Sequence, residues 1–126
     1  MPVSSFPHRE NQNLLALLSQ LDSQPGVLGS LLVGYDGKLI AQNMKKGDDA
    51  EPLGTMALTI YLDTVTAMQK LGQKSVHQIV SKTSRGHIVI ANFGNGLLVT
   101  LSNNLSRDGL IMLMRSITTL VATTAE

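Results

Sequence analysis

The sequence predicts a three-layer α/β/α sandwich around a five-stranded antiparallel sheet, with elements in the order αββαβββα. Three observations carry this. Glycine-bearing turns separate apolar runs at Tyr35-Asp36-Gly37-Lys38, Ser84-Arg85-Gly86 and Gly94-Asn95-Gly96, the pattern of hairpins. Two of those runs are apolar on both alternating faces: Val27, Leu31 and Val33 against Leu28 and Leu32, then Ile88 and Ile90 against Val89, Ala91 and Phe93. Hairpin sheets ordinarily wet one face, so covering both requires helices on each side. Finally, three other segments carry apolar residues at helical spacing, one before, one between and one after the strands.

Taken in order, Leu14, Leu17, Leu18 and Leu21 form the stripe of a first helix over residues 11–21, stopped by Pro25-Gly26. Residues 27–34 and 39–44 are the first two strands, and Asp36-Gly37 between them predicts a two-residue turn, because both residues tolerate positive φ. A polar loop over 45–51 leads to Pro52, expected as a first helical residue, where its missing N–H costs nothing. The helix that follows runs to about Gly72. Residues 76–83, 87–93 and 97–102 read as strands three to five. Ser106 is placed to cap a last helix, with Asp108 favourable in its first turn and Leu110, Leu113, Met114, Ile117 and Leu120 as its buried stripe. Residues 1–10 read as a flexible tail, 11–122 as a single domain and 123–126 as a short second tail.

Composition narrows the function. A chain of 126 residues has room for one core, and it needs no disulfide or metal to hold it. There is no cysteine, which removes thiolate metal sites, cysteine nucleophiles and thiol redox chemistry and favours a reducing, cytoplasmic compartment. A net charge of +1, with two tyrosines, two phenylalanines and no tryptophan, offers nucleic acid neither a field nor a stacking surface. No apolar run reaches the length of a secretory signal or a membrane span; Leu110 to Met114 is cut short by Arg115. Charged residues are only 15% of the chain against 43% apolar, so part of the exterior is expected to be covered by another chain.

The second helix is the most informative segment. At 100° per residue its polar residues Thr55, Thr59, Asp63, Thr66, Gln69 and Lys70 occupy one arc. Leu53, Met56, Ala57, Ile60, Ala67, Met68 and Leu71 form a stripe expected on the sheet, and Leu58, Tyr61, Leu62 and Val65 form a second beside it. One sheet face cannot bury both stripes. The second either packs under a neighbouring element of the same chain or is an interface. The third strand mixes Val76, Gln78, Val80 and Lys82 with His77, Ile79 and Ser81, which suits a sheet edge, and an open edge is a template for another chain.

The sequence carries no catalytic or cofactor signal. Gly26-Val27-Leu28-Gly29 lacks the lysine and hydroxyl of a phosphate loop, and His8, His77 and His87 have no metal-ligand spacing. Asp48, Asp49 and Glu51 read as favourable charge before a helix rather than a cation site. No serine sits in a nucleophile elbow. Arg85 and Arg107 are exposed candidates for contacting a partner's phosphates, with plain solvation as the alternative, and Lys45 and Lys46 read as a soluble loop. No cofactor, metal or small-molecule substrate is expected. A ligand-sensing domain would need a cavity with converging polar groups, which the aliphatic strands disfavour.

Pro25-Gly26-Val27, Tyr35-Asp36-Gly37-Lys38-Leu39-Ile40-Ala41 and Gly96-Leu97-Leu98-Val99-Thr100-Leu101 leading into Gly109-Leu110-Ile111 resemble, in that order, the Roadblock family of dynein light chains and bacterial GTPase partners. The resemblance spans about residues 11–121. It implies a profilin-like sandwich that is not an enzyme and that forms a homodimer by pairing the third strand, Val76, His77, Gln78, Ile79, Val80, Ser81 and Lys82, with its twin. The two second helices then lie side by side. It further implies a module that binds a Ras-like small GTPase and modulates its nucleotide cycle, in bacterial motility or polarity, with Leu58, Tyr61, Leu62 and Val65 on the docking face and no catalytic arginine. The alternative within the same family is a scaffold or motor-complex adaptor with no effect on GTP turnover.

Overall fold

The computed structural model describes residues 8–45, 49–73 and 75–124. Lys46 and Asp48, and residues 1–7, 125 and 126 of the predicted tails, lie outside them. The elements follow the expected order: α1 (His8–Asp22), β1 (Val27–Gly34), β2 (Leu39–Asn43), α2 (Ala50–Lys70), β3 (Gln78–Lys82), β4 (His87–Asn92), β5 (Gly96–Ser102) and α3 (Arg107–Thr124). The strands form one antiparallel sheet in the order β2-β1-β5-β4-β3.

Two cores flank that sheet. On one face α1 and α3 close over Leu32, Val89, Ala91 and Leu98, with Leu18, Leu21 and Ile117 fully buried. On the other, α2 alone closes over Leu31, Val33, Ile90, Leu97 and Val99. Alternation along β1 and β5 sends successive residues to opposite cores, which explains why these strands read as continuous apolar runs. The three layers are those the sequence predicts.

Several boundaries differ from the sequence reading, each for a local reason. Helix α1 starts at His8, not residue 11, because an apolar stripe marks the buried part of a helix and not the polar turn before it. Helix α2 starts at Ala50 behind Asp49, so Pro52 is its third residue; the N–H a proline lacks is still among those with no partner inside the helix. Its far end closes as a Schellman turn, with Gly72 at φ 82° and the Gln73 and Gly72 N–H groups donating to the carbonyls of Met68 and Gln69. The first hairpin closes between Gly34 N–H and the Lys38 carbonyl, so its loop has three residues with Gly37 at φ 86°, and not two. Ser106 caps α3 as predicted, accepting from the Gly109 N–H at 3.1 Å. The third strand is shorter than 76–83. The Val76 carbonyl accepts from the Tyr61 hydroxyl at 3.1 Å.

Candidate protein-interaction site

Helix α2 lies across β1, β2 and β5, and small residues bring it close. Its buried positions are Ala50, Gly54, Ala57 and Tyr61. A Cβ on Gly54 would stand 3.3 Å from Val33 Cγ2 and 3.7 Å from Leu31 Cδ1, so glycine sets the depth at which the helix seats. The line of contact therefore runs between the two predicted stripes and not along the first of them. Leu53 and Ile60 of the first stripe are half-buried on one flank, while Met56 is 41% and Leu71 71% exposed.

The second stripe is divided. Tyr61 enters the core at 6% exposure, Leu58 and Val65 pack half-buried against that core, and Leu62 stands out at 46%. Tyr61 also touches Tyr35, with ring centroids 6.3 Å apart. The Tyr35 hydroxyl donates to Asn92 Oδ1 at 2.6 Å, and burial, helped by Tyr61, pushes its pKa up to about 12, so it remains a neutral donor. This tyrosine pair ties α2 to the β1–β2 turn and to the end of β4.

The outer arc of α2 is less polar than its sequence suggests. Thr59 and Thr66 turn their hydroxyls back onto the carbonyls of Thr55 and Leu62, at 3.1 and 3.0 Å. A threonine bonded to its own helix has spent its donor. Sequence reasoning counts these residues as polar, and only the hydroxyl geometry shows otherwise.

Strand β3 is an edge of the sheet, paired with β4 from Gln78↔Ala91 to Lys82↔His87 without a bulge. Asn92 N–H donates to the His77 carbonyl and Thr83 N–H to the Gly86 carbonyl. Alternation then points Ile79 and Ser81 main-chain groups at β4 and those of Gln78, Val80 and Lys82 at the open side. Gln78 Nε2 donates to the Met114 carbonyl at 3.1 Å and to Thr118 Oγ1 at 2.7 Å, fastening the edge to α3. Val80 packs on the α1/α3 core and Ile79 on the α2 core, both half-buried.

Comparison with known proteins decides the family. The Roadblock/LC7 domain profile matches residues 14–102. The chain is a Roadblock/LC7 protein. Three uncharacterized proteins of Methanocaldococcus jannaschii are each 30% identical to it over 95 residues, spanning 75% of this chain and at least 80% of theirs. The fold of this Roadblock chain is similar to that of the gliding protein mglB from Thermus thermophilus, with TM-score 0.78, 14% identity, and 99% of this chain and 97% of that one covered. It is also similar to a Roadblock/LC7 domain from Streptomyces avermitilis, with TM-score 0.76, 20% identity, and 86% and 91% of the two chains covered. Myxococcus xanthus MglB superposes with TM-score 0.77 at 14% identity over 91% of this chain and 90% of that one.

Elsewhere, among the described residues, the Roadblock chain brings no catalytic constellation together. No group of three or more described His, Cys, Asp or Glu could hold a metal ion. His77 is exposed beside Ser75, while His87 is 7% exposed inside the sheet, far from a ligand role in spacing or partners. Arg85 and Arg107 are exposed at a hairpin tip and a helix start. Asp49 precedes α2 without a side-chain capping bond, and Glu51 lies in its first turn. A narrow cavity between α1, α3 and the sheet is lined by Leu14, Leu17, Leu32, Phe93, Leu98 and Val121, with no polar group among them. No helix among the described residues is long and apolar enough to cross a membrane.

Proposed function

We propose that this Roadblock chain is a non-catalytic, cytoplasmic homodimer that docks a Ras-like small GTPase on its α2 surface and biases the GTPase's nucleotide cycle. The observation that carries the reading is α2: alone on its sheet face, seated through small residues, and presenting Leu62 between the half-buried Leu58 and Val65. Strands β2 and β3 are parallel at opposite edges, and the right-handed connection that such parallel strands almost always adopt would turn the Leu58, Leu62 and Val65 flank toward the β3 edge. If β3 pairs with β3 of a second copy, two such flanks meet across the seam, and the paired helices form the docking face. Tyr61 supports that face from beneath. The description of the Thermus relative as a gliding protein, and of another MglB as having a tetrameric arrangement, supports a self-associating role in motility or polarity.

The test is capture of GTPases by the tagged chain from native lysate loaded with a GTP analogue or with GDP, followed by hydrolysis rates with the captured GTPase. Preferential retention in one nucleotide state, lost in Leu62→Arg while circular dichroism stays native, is the expected result. Retention unchanged by Leu62→Arg, with an unchanged dimer mass, would overturn the assignment of this flank. Capture of a GTPase whose hydrolysis and exchange rates then stay unaltered makes the chain a scaffold instead.

A further inference from the structure

We infer that the outer side of the α1/α3 layer settles on an anionic lipid surface, with Lys82, Arg85, Arg107 and Arg115 facing the headgroups and Ile111 and Met112 entering between them. The net charge is only +1, so the attraction comes from how the charges are distributed. Arg107, Ile111 and Arg115 follow one another four residues apart along α3, on one stripe, and Met112 lies beside them. Lys82 joins them by alternation along β3. Gln78 donates to the Met114 carbonyl and to Thr118 Oγ1 of α3, Val80 packs on the α1/α3 core, and Lys82 leaves the strand on that same side. Arg85 is brought in by its turn. A Cβ on Gly86 would strike the Ser102 carbonyl and the Asn103 backbone, so the β3–β4 turn lies against the link from β5 to α3. All four bases are exposed, and none is in an ion pair with a described residue.

Charge complementarity selects the partner. The described acids of this layer are Asp108, in the first turn of α3, and Asp22, whose carboxyl is tied to Ser30 and Asn43 at the end of α1. Asp36 lies in the β1–β2 turn, and Asp49, Glu51 and Asp63 lie just before or on α2, which covers the opposite face of the sheet. Exposed apolar side chains accompany the bases: Met112 is 67% and Ile111 37% exposed, with Leu15 of α1 at 47% in the same layer. A docked helix needs a groove to enter, whereas Met112 stands out from α3, and fluid lipid packs around a protruding side chain. Thr119 and Thr123 turn their hydroxyls onto the carbonyls of Arg115 and Thr119, at 3.1 and 2.9 Å, so these two donors need no water when the face is covered. Helix α2 stays clear on the far side of the sheet, and the inference does not depend on what docks there.

Co-sedimentation of the full chain with vesicles tests this. It is expected to bind vesicles of phosphatidylcholine and phosphatidylserine in equal parts, to be released as salt rises, and to ignore pure phosphatidylcholine. Arg107→Gln combined with Arg115→Gln should weaken binding about twentyfold, or about fivefold for each base removed, with circular dichroism unchanged. Met112→Ser should weaken it about fivefold through the apolar contact alone. Lys38→Gln combined with Lys70→Gln removes the same charge from the β1–β2 turn and the end of α2, and should change binding less than about twofold. Equal losses in the two double variants would make the attraction one of net charge and overturn the face. Binding that both the arginine pair and Met112→Ser leave intact would overturn it as well. Failure to bind either vesicle overturns the lipid surface, and retention on polyglutamate that the arginine pair abolishes would then assign the face to an acidic protein segment.

Discussion

On one face of the sheet α1 and α3 share the burial of Leu18, Leu21 and Ile117, each at 0% exposure, whereas on the other α2 works alone and leaves Met56 at 41% and Leu62 at 46%. Two helices cover five strands and meet each other, so their stripes close on a common core. One helix cannot. Pulling it in close through Ala50, Gly54 and Ala57 buries the sheet beneath it but tips larger side chains onto its flanks. The core beneath the paired helices is finished within the chain, whereas the α2 face leaves apolar side chains on its flanks open to solvent.

The sharpest way to test that contrast is stability. Ile117→Ala should destabilise by about 2–5 kcal/mol, since it opens a cavity under two helices, while Leu62→Ala should fall within about 0.5 kcal/mol of wild type, both read from urea midpoints. Comparable losses at the two sites would break the comparison. Next in size, Tyr61→Phe keeps the ring in the core and removes the bond to the Val76 carbonyl, and about 1 kcal/mol is expected to go with it. Hydrogen exchange at the start of β3 should rise in that variant, because the hydroxyl joins α2 to the edge.

The smallest effect concerns α1. Burial raises the Asp22 carboxyl above 3.8, against the opposing pull of hydrogen bonds from Ser30, whose hydroxyl donates at 2.8 Å, and from Asn43. The folded state then holds its proton more tightly than the unfolded state. The contribution of this group to stability is therefore complete below 3.8 and is lost as pH rises through the raised value. Urea midpoints of wild type minus those of Asp22→Asn should decline across that window, and a difference that grows with pH would reverse the sign argued here.

Much of this architecture is legible in the sequence. Periodicity separates helices from strands, and Ser106, Gly72 and the glycine turns mark ends that hydrogen bonds confirm. The stripes of α2 are visible too, yet the face that meets the sheet lies one step around the helix from the one the stripes suggest. Side-chain size misleads there: large residues attract the eye as core, but at a close crossing the centre belongs to alanine and glycine. Tyr61 reads as surface because its neighbours Leu58 and Leu62 share its arc, and nothing in the sequence announces that its hydroxyl reaches Val76. The turn at Gly37 reads one residue too short for a similar reason, since Asp-Gly fits both loop lengths.

The sequence by itself determined the order of elements, the antiparallel sheet with both faces covered, the edge character of the third strand and the family. The first three follow from alternation, periodicity and turn chemistry, which act between residues near one another in the chain, and the family from the resemblance of its motifs. Only the tertiary structure decided which side of α2 is spent on the sheet, which threonine hydroxyls are turned inward and which main-chain groups of β3 remain free. Those depend on how closely two elements approach and on which partner each polar group reaches, and such distances are set by contacts between residues far apart in sequence.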